Sequence, residues 1–177
     1  LYIGQEFKFL DTNYPINYLT NYLILNSKKI IYSIGHSTHT IDQFLDLLQI
    51  YKIKMIADVR RFPTSKKYPH FERQNLQSEL EKKKIDYFWL GEYLGGYRKG
   101  GYQLYMESEL FLKGIHELIA TAETQITAFM CAEKLFFRCH RRFISDHLLQ
   151  LDWQVIHIFD ETTTYLHKPT DSMPLDF

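Results

Sequence analysis

Net charge is absent from this 177-residue chain: 21 Lys and Arg stand against 21 Asp and Glu. That balance argues against the strongly basic coat of a nucleic-acid binder. Cysteine is scarce. Two residues, Cys131 and Cys139, cannot staple a chain of this size, and in a reducing compartment they are thiols. Long apolar runs are missing too: stretches such as Ile126–Cys131 reach about five residues, where a spanning helix needs about 20. No membrane contact is expected. The first residues hold no basic region followed by an apolar stretch and a small-residue cleavage site, so the expected address is cytoplasmic. A glycine-rich dinucleotide fingerprint and a phosphate loop are both lacking, so no cofactor is expected. Repeats, Gly-Ser linkers and low-complexity tracts are lacking as well.

What is there is the composition of one folded domain, 45% hydrophobic and 24% charged, which excludes disorder, collagen and coiled coil. The balanced charge hides a sorting. Arg60 to Arg73 carries five Lys/Arg against one Glu, and Lys134 to Arg142 carries four against none. The segment from Asp160 to Phe177 carries four acids against one Lys. Aromatics reach 16%, with 13 Phe and 13 Tyr, enough to fill a core and its rim or to stack on bases.

Residues 1–29 are rich in Tyr, Asn, Leu and Ile without a clear period and read as an extension packed on the domain. From there an alternation sets in. Ile30–Ile34 is a short β-branched run that reads as a buried strand. Thr40 followed by Gln43 has the form of a capping box. Ile41, Phe44, Leu45 and Leu48 then predict a helix to about Tyr51. Further strands are expected at Lys54–Val59, Asp86–Leu90, Ile126–Met130 and Gln154–Phe159. Helices are expected at Arg73–Lys84, Glu107–Glu123 and His140–Leu151. Gly91–Gly101, with five glycines, reads as a loop. The result is an α/β domain over residues 30–161, a three-layer sandwich with a mainly parallel five-stranded sheet and helices on both faces. Residues 162–177 read as a C-terminal tail.

In such sheets the site lies beyond the carboxyl ends of the strands, and that rule selects the residues worth weighing. The first strand ends in Gly35-His36-Ser37, the second in Asp58-Val59-Arg60-Arg61-Phe62-Pro63. The fourth ends in Cys131-Ala132-Glu133, followed by Cys139-His140-Arg141 where a helix opens. Taken in order with Leu94-Gly95-Gly96, these segments resemble the domain-of-unknown-function 488 family, over a stretch from about Ile30 to Ile158. The resemblance implies an α/β domain in which these positions form the shared polar set. It implies no reaction, because the family has none assigned.

Arg60, Arg61 and Arg141 are candidates for an anion pocket, since the guanidinium is a planar fork for phosphate or carboxylate and a helix start adds free N–H groups. The competing reading has Arg60 paired with Asp58 or Glu133, holding loops together. Cys131 is a candidate nucleophile if nearby cations stabilise its thiolate; otherwise it is a small hydrophobe. Cys131 and Arg138 are one residue too far apart for a cysteine-phosphatase loop. Glu133 and His36 are candidate acid/base groups. Asp58, Cys139 and His140 are supporting residues. Cys131, Cys139, His140 and His36 are metal-binding types, but their spacing fits no standard pattern, so no metal is expected. Tyr93, Tyr97, Tyr102 and Tyr105 border the glycine loop as a lid, a stacking surface or core packing.

The leading expectation is a hydrolase or transferase acting on an anionic, phosphate-bearing substrate such as a nucleotide or nucleic acid. A non-catalytic nucleic-acid-binding module is the alternative, and a thiol redox protein using Cys131 and Cys139 is a further one.

Overall fold

The computed structural model describes residues 29–169. The extension expected over residues 1–29, Lys29 apart, and the tail beyond residue 169 lie outside the described residues. Strand β1 (Lys29–Gly35) leads into helix α1 (Ile41–Ile50). The helix start is built as the sequence predicts: Gln43 N–H donates to the Thr40 hydroxyl, and Thr40 N–H donates to the Gln43 side chain. Strand β2 (Met55–Asp58), helix α2 (Arg73–Lys82) and strand β3 (Asp86–Trp89) follow. The glycine-rich stretch then departs from the loop expected there. It contains a helical turn, α3 (Gly91–Leu94), and a second one, α4 (Tyr102–Tyr105), comes just after it. Helix α5 (Glu109–Thr124) begins at Ser108, whose hydroxyl accepts Phe111 N–H. Strand β4 (Thr127–Cys131), helix α6 (Arg141–Gln150) and strand β5 (Trp153–Ile158) complete the α/β alternation.

The sheet has six strands, not five, in the order β3-β2-β4-β1-β5-β6. The sixth, β6 (Thr164–Leu166), lies antiparallel on the edge of β5. It falls in the segment read from sequence as a tail. The reversal is local: Asp160 Oδ1 accepts the N–H groups of Thr162 and Thr163, which turns the chain back. The other five strands are parallel.

Alternation along the strands sorts the core into two layers. Ile34, Ile56, Ala128 and Met130 pack under Phe44 and Leu48 of α1 and Leu76 and Leu80 of α2. Ile31, Ala57, Phe129 and Val155 pack under Phe111, Ile115 and Leu118 of α5 and Ile144 and Leu148 of α6. This is a three-layer α/β sandwich. The layering also decides where a crevice opens. The chain leaves β1 and β2 toward α1 and α2 on one face, while it leaves β4 toward α6 on the other. β4 sits between β1 and β2, so connections diverge on both sides of its carboxyl end, which is the switch point where α/β sheets bind ligands.

Gly35 brings β1 and β4 together at that point. Pairing continues past the strands through His36 N–H to the Cys131 carbonyl and Ser37 N–H to the Ala132 carbonyl, both 3.0 Å. A Cβ on Gly35 would lie 2.0 Å from the Glu133 carbonyl oxygen. Gly35→Ala is therefore expected to cost about 1–3 kcal/mol by overpacking, read as a lower urea midpoint. An unchanged midpoint would show that this backbone contact yields freely.

Candidate functional site

The period-2 alternation sends polar side chains to opposite faces at the sheet edge. Asp58, Arg60 and His36 fall on the α1/α2 side. Ser33 and Cys131 fall on the α6 side, where Cys139 and Arg141 join them. Each face thus receives one buried arginine.

On the first face Asp58, fully buried, accepts from the Arg60 backbone N–H (3.0 Å), from Arg60 Nε (2.9 Å) and from the Tyr87 hydroxyl (2.7 Å). Arg60 Nη2 also donates to Oδ2, and Arg60 Nη1 donates to the Phe71 carbonyl (2.8 Å). Burial alone would lower the Arg60 pKa, but the hydrogen bonds and charge of Asp58 outweigh it and keep the guanidinium firmly charged. The same desolvation, reinforced by the Asp58 charge, pushes the Tyr87 phenol well up, so it stays a donor. His36 stacks on Phe71 with ring centroids 4.1 Å apart. Its Nδ1 lies 3.2 Å from the Ser37 carbonyl, which can only accept, so the proton sits on Nδ1. The Nε2 lone pair then faces Arg60 Nη1 at 3.3 Å. Burial, and then the Arg60 charge, pull His36 down to about 3. It is a neutral imidazole with both nitrogens engaged.

On the second face Arg141 is 1% exposed. Nη1 donates to the Ser33 hydroxyl at 2.9 Å, and Nη2 donates to the carbonyls of Glu133 and Lys134. Nε points between two sulfurs, 3.1 Å from Cys131 Sγ and 3.4 Å from Cys139 Sγ. Among the described residues no carboxylate pairs with this guanidinium. The sulfurs are 3.4 Å apart and are free thiols. The hydrogen bond from Cys131, and then Arg141 against the opposing cost of burial, pull the Cys139 thiol down to about 6. Burial, and then the same hydrogen bond, push Cys131 well up. The two groups are thus pulled apart, Cys139 toward thiolate and Cys131 toward thiol, while either sulfur can donate across the 3.4 Å contact.

A cavity of about 310 Å³ opens over both faces. It gathers His36, Arg60, Arg61, Cys131, Glu133, Cys139 and His140 from the ends of β1, β2 and β4 and the start of α6. Seven of the nine residues singled out from the sequence thus meet in one place; Asp58 and Arg141 lie behind its wall. Within it the roles divide. Arg60 and Arg141 are committed to partners within the chain. Arg61 is half-buried, lines the cavity and makes no side-chain hydrogen bond or ion pair among the described residues. Glu133 is exposed at the mouth, its carboxylate accepting Leu135 N–H at 3.3 Å. His140 Nε2 donates to the Val59 carbonyl at 2.9 Å, which leaves Nδ1 unprotonated and facing Gly96. Burial, only partly countered by that bond, pulls His140 down to about 4.

Sequence reasoning passed over Phe62, Thr64 and Ser65, which also line the cavity. Phe62 is 67% exposed and Tyr97 93% exposed at its rim. A phenylalanine directly after Arg60-Arg61 was the available signal. The other tyrosines behave differently. Tyr102 donates to the Leu94 carbonyl and Tyr105 to the Tyr93 carbonyl, pinning the glycine-rich stretch to the core. Cys139 and His140 also line a second cavity of about 450 Å³, with Tyr97, Tyr102, Arg138 and Arg142. A larger hollow of about 720 Å³ by α4 and α6 contains none of the nine residues. Among the described residues no group of three His, Cys, Asp or Glu side chains is placed to hold a metal, and no helix is long and apolar enough to cross a membrane.

The fold and the site define an α/β domain with a dithiol pocket at the switch point of its sheet. The model of a domain of unknown function, DUF488, matches residues 40–148, and the chain belongs to that family. The match starts just past Gly35-His36-Ser37 and takes in the ends of β2 and β4 and the start of α6. No curated protein and no solved structure shows significant similarity to the chain.

The buried imidazoles set the response to acid. His36 and His140 are joined by His157, which burial, and then His167, lower to about 2 against a stacked Phe136. Above about pH 7.5 all three are neutral in the folded and unfolded chain alike. Below it the unfolded chain takes up protons that the folded chain refuses until near pH 4 for His140, so stability falls as pH falls. The urea midpoint is expected to drop steadily from about pH 7.5 to about pH 5. A midpoint constant over that range would mean that these histidines are protonated in the fold.

Proposed function

We propose that this chain is a cysteine-dependent enzyme, a hydrolase or group transferase for an anionic, phosphate-bearing substrate, with Cys139 as its nucleophile. One observation carries the reading. Arg141 is a buried cation with no carboxylate partner among the described residues, set 3.1 Å and 3.4 Å from two sulfurs. An unpaired charge in the interior costs several kcal/mol, and a thiolate is the anion the site offers. Both residues line the cavity, and Cys139 is the more exposed of the two. It takes the role that the sequence alone had given to Cys131, whose proton steadies the thiolate.

In this reading Arg61 anchors the substrate anion, being the cavity arginine with a free fork. His140 Nδ1, a lone pair in the same cavity, accepts a hydrogen bond from an incoming nucleophile and orients it. Glu133 at the mouth is a second proton carrier. His36 and the Asp58–Arg60 pair fix the floor and take no proton. The chemistry draws on no cofactor. A second reading, a nucleic-acid-binding module, is favoured by Phe62 and Tyr97 standing exposed at the rim, close in sequence to Arg61, Lys66, Lys67, Arg98 and Lys99. Exposed rings beside cations are stacking platforms for single strands.

Alkylation by iodoacetamide across pH tests the first reading. Cys139 is expected to react with a half-point near 6, and the fast phase to vanish in Cys139→Ser. Inorganic phosphate or a mononucleotide is expected to slow the reaction several-fold in the wild type and not in Arg61→Ala. A half-point near the ordinary thiol value, about 8.5, would overturn the thiolate. Salt-sensitive capture of single-stranded DNA, unaffected by Cys139→Ser but lost in Phe62→Ala/Tyr97→Ala, would favour the second reading.

A further inference from the structure

We propose that the Cys139–Cys131 pair also performs thiol–disulfide exchange, reducing small disulfides that carry a carboxylate or phosphate, with Cys139 attacking and Cys131 resolving. The proposal rests on Cys139 being the thiolate and adds a role that a lone nucleophile would not have.

Three features of the geometry carry it. The sulfurs stand 3.4 Å apart, so closing them to a disulfide of about 2.04 Å requires a shift of about 1.4 Å. Their accessibility is unequal. Both sulfur residues line the cavity of about 310 Å³, but Cys139 is half-buried and also lines the one of about 450 Å³, while Cys131 is 3% exposed. An outer attacking thiol with an inner resolving thiol is the order that exchange needs, because a mixed disulfide on Cys139 is still within reach of Cys131. Finally, Arg61 in the same cavity is a free cation for a charged substituent.

The step balances as follows. The Cys139 thiolate attacks one sulfur of RSSR, a Cys139–S–S–R bond forms, the R–S–S–R bond breaks, and RS⁻ leaves. The Cys131 sulfur then attacks Cys139 Sγ. The second RS leaves with the Cys131 proton as RSH, and Cys131–Cys139 closes. Two electrons have passed from the pair to the disulfide, and two thiols have been released. A small dithiol or an excess of monothiol reverses both steps.

The test is incubation with oxidised glutathione, which bears carboxylates, or with hydroxyethyl disulfide, which bears none, followed by intact mass. The wild type is expected to lose about 2 Da with no lasting adduct. Cys131→Ser is expected to accumulate one glutathione, and Cys139→Ser to react at least tenfold more slowly. The wild type is expected to favour oxidised glutathione several-fold, and Arg61→Ala to lose that preference. A wild type that keeps a stable adduct or stays reduced, while Cys139 still alkylates with its half-point near 6, overturns exchange and leaves the nucleophile standing. Failure of alkylation at low pH removes both. Equal rates with the two disulfides in the wild type refute the charged-substrate assignment.

Discussion

A guanidinium buried in a protein has to meet an anion, and the crevice of this fold is organised around two of them. Arg60 meets a carboxylate two residues back on its own chain, and the resulting pair is closed: Asp58 is saturated by Arg60 and Tyr87. Arg141 meets no carboxylate among the described residues. Its Nε is aimed at sulfur and its other donors at a hydroxyl and carbonyls. The first arrangement is chemically inert, since both charges are spent on each other. The second sets two thiols against the charge beside a cavity. The same residue type therefore fixes a loop on one face of the sheet and faces sulfur on the other.

The sheet determines that these two arrangements are neighbours. Asp58 and Arg60 share a face because they are two apart at the end of β2. Ser33 and Cys131 share the opposite face because they sit in register-linked positions of β1 and β4, where Ser33 pairs with Phe129 and Gly35 with Cys131. A one-residue slip of β4 would turn Cys131 away from Arg141 and bury a different side chain there. The close approach of Gly35 to the Glu133 carbonyl holds that register at the open end, and Arg141 holds the same carbonyl from below. Packing and chemistry meet on one peptide group.

Much of this was legible in the chain. Short β-branched runs alternating with helical periods gave the parallel core, and the capping box at Thr40 placed a helix start to the residue. Strand ends dense in ionisable groups located the crevice. β6 escaped notice because it has three residues, two of them exposed, and owes its place to an Asp160 turn and not to a hydrophobic pattern. The helical turn α3 escaped because glycine composition signals loops, whereas Gly91 is there for space: a Cβ would meet the Arg60 carbonyl at 1.9 Å. The division of labour among the arginines was not legible at all. Arg60, Arg61 and Arg141 read alike in sequence, and only burial separates two that are held by partners within the chain from one that stands open in the cavity. The choice between the cysteines was hidden for the same reason. Cys131 follows a strand and looks placed for chemistry, but the strand end buries it, while Cys139 reaches the cavity from a connection with no periodic signal.

The separation of buried from open cations also bears on what the pocket can admit. A cavity whose wall arginines kept free donors would draw in any anion and would repel protonated groups strongly. Here the Arg60 charge is neutralised by Asp58, His36 and His140 are held neutral by burial, and the open cation among the cavity-lining residues is Arg61. Attraction for an anion is thus concentrated at one point of the rim, a short way from the sulfur, with the exposed rings of Phe62 and Tyr97 at the same mouth. Tyr97 holds φ at +59°, a conformation that costs a tyrosine backbone energy. The chain bears that cost, and leaves a phenol in solvent, next to the cavity where two thiols, an imidazole nitrogen and the Arg61 guanidinium come together. In the proposed reading, shape and ring stacking at this rim select the substrate, and charge fixes its orientation.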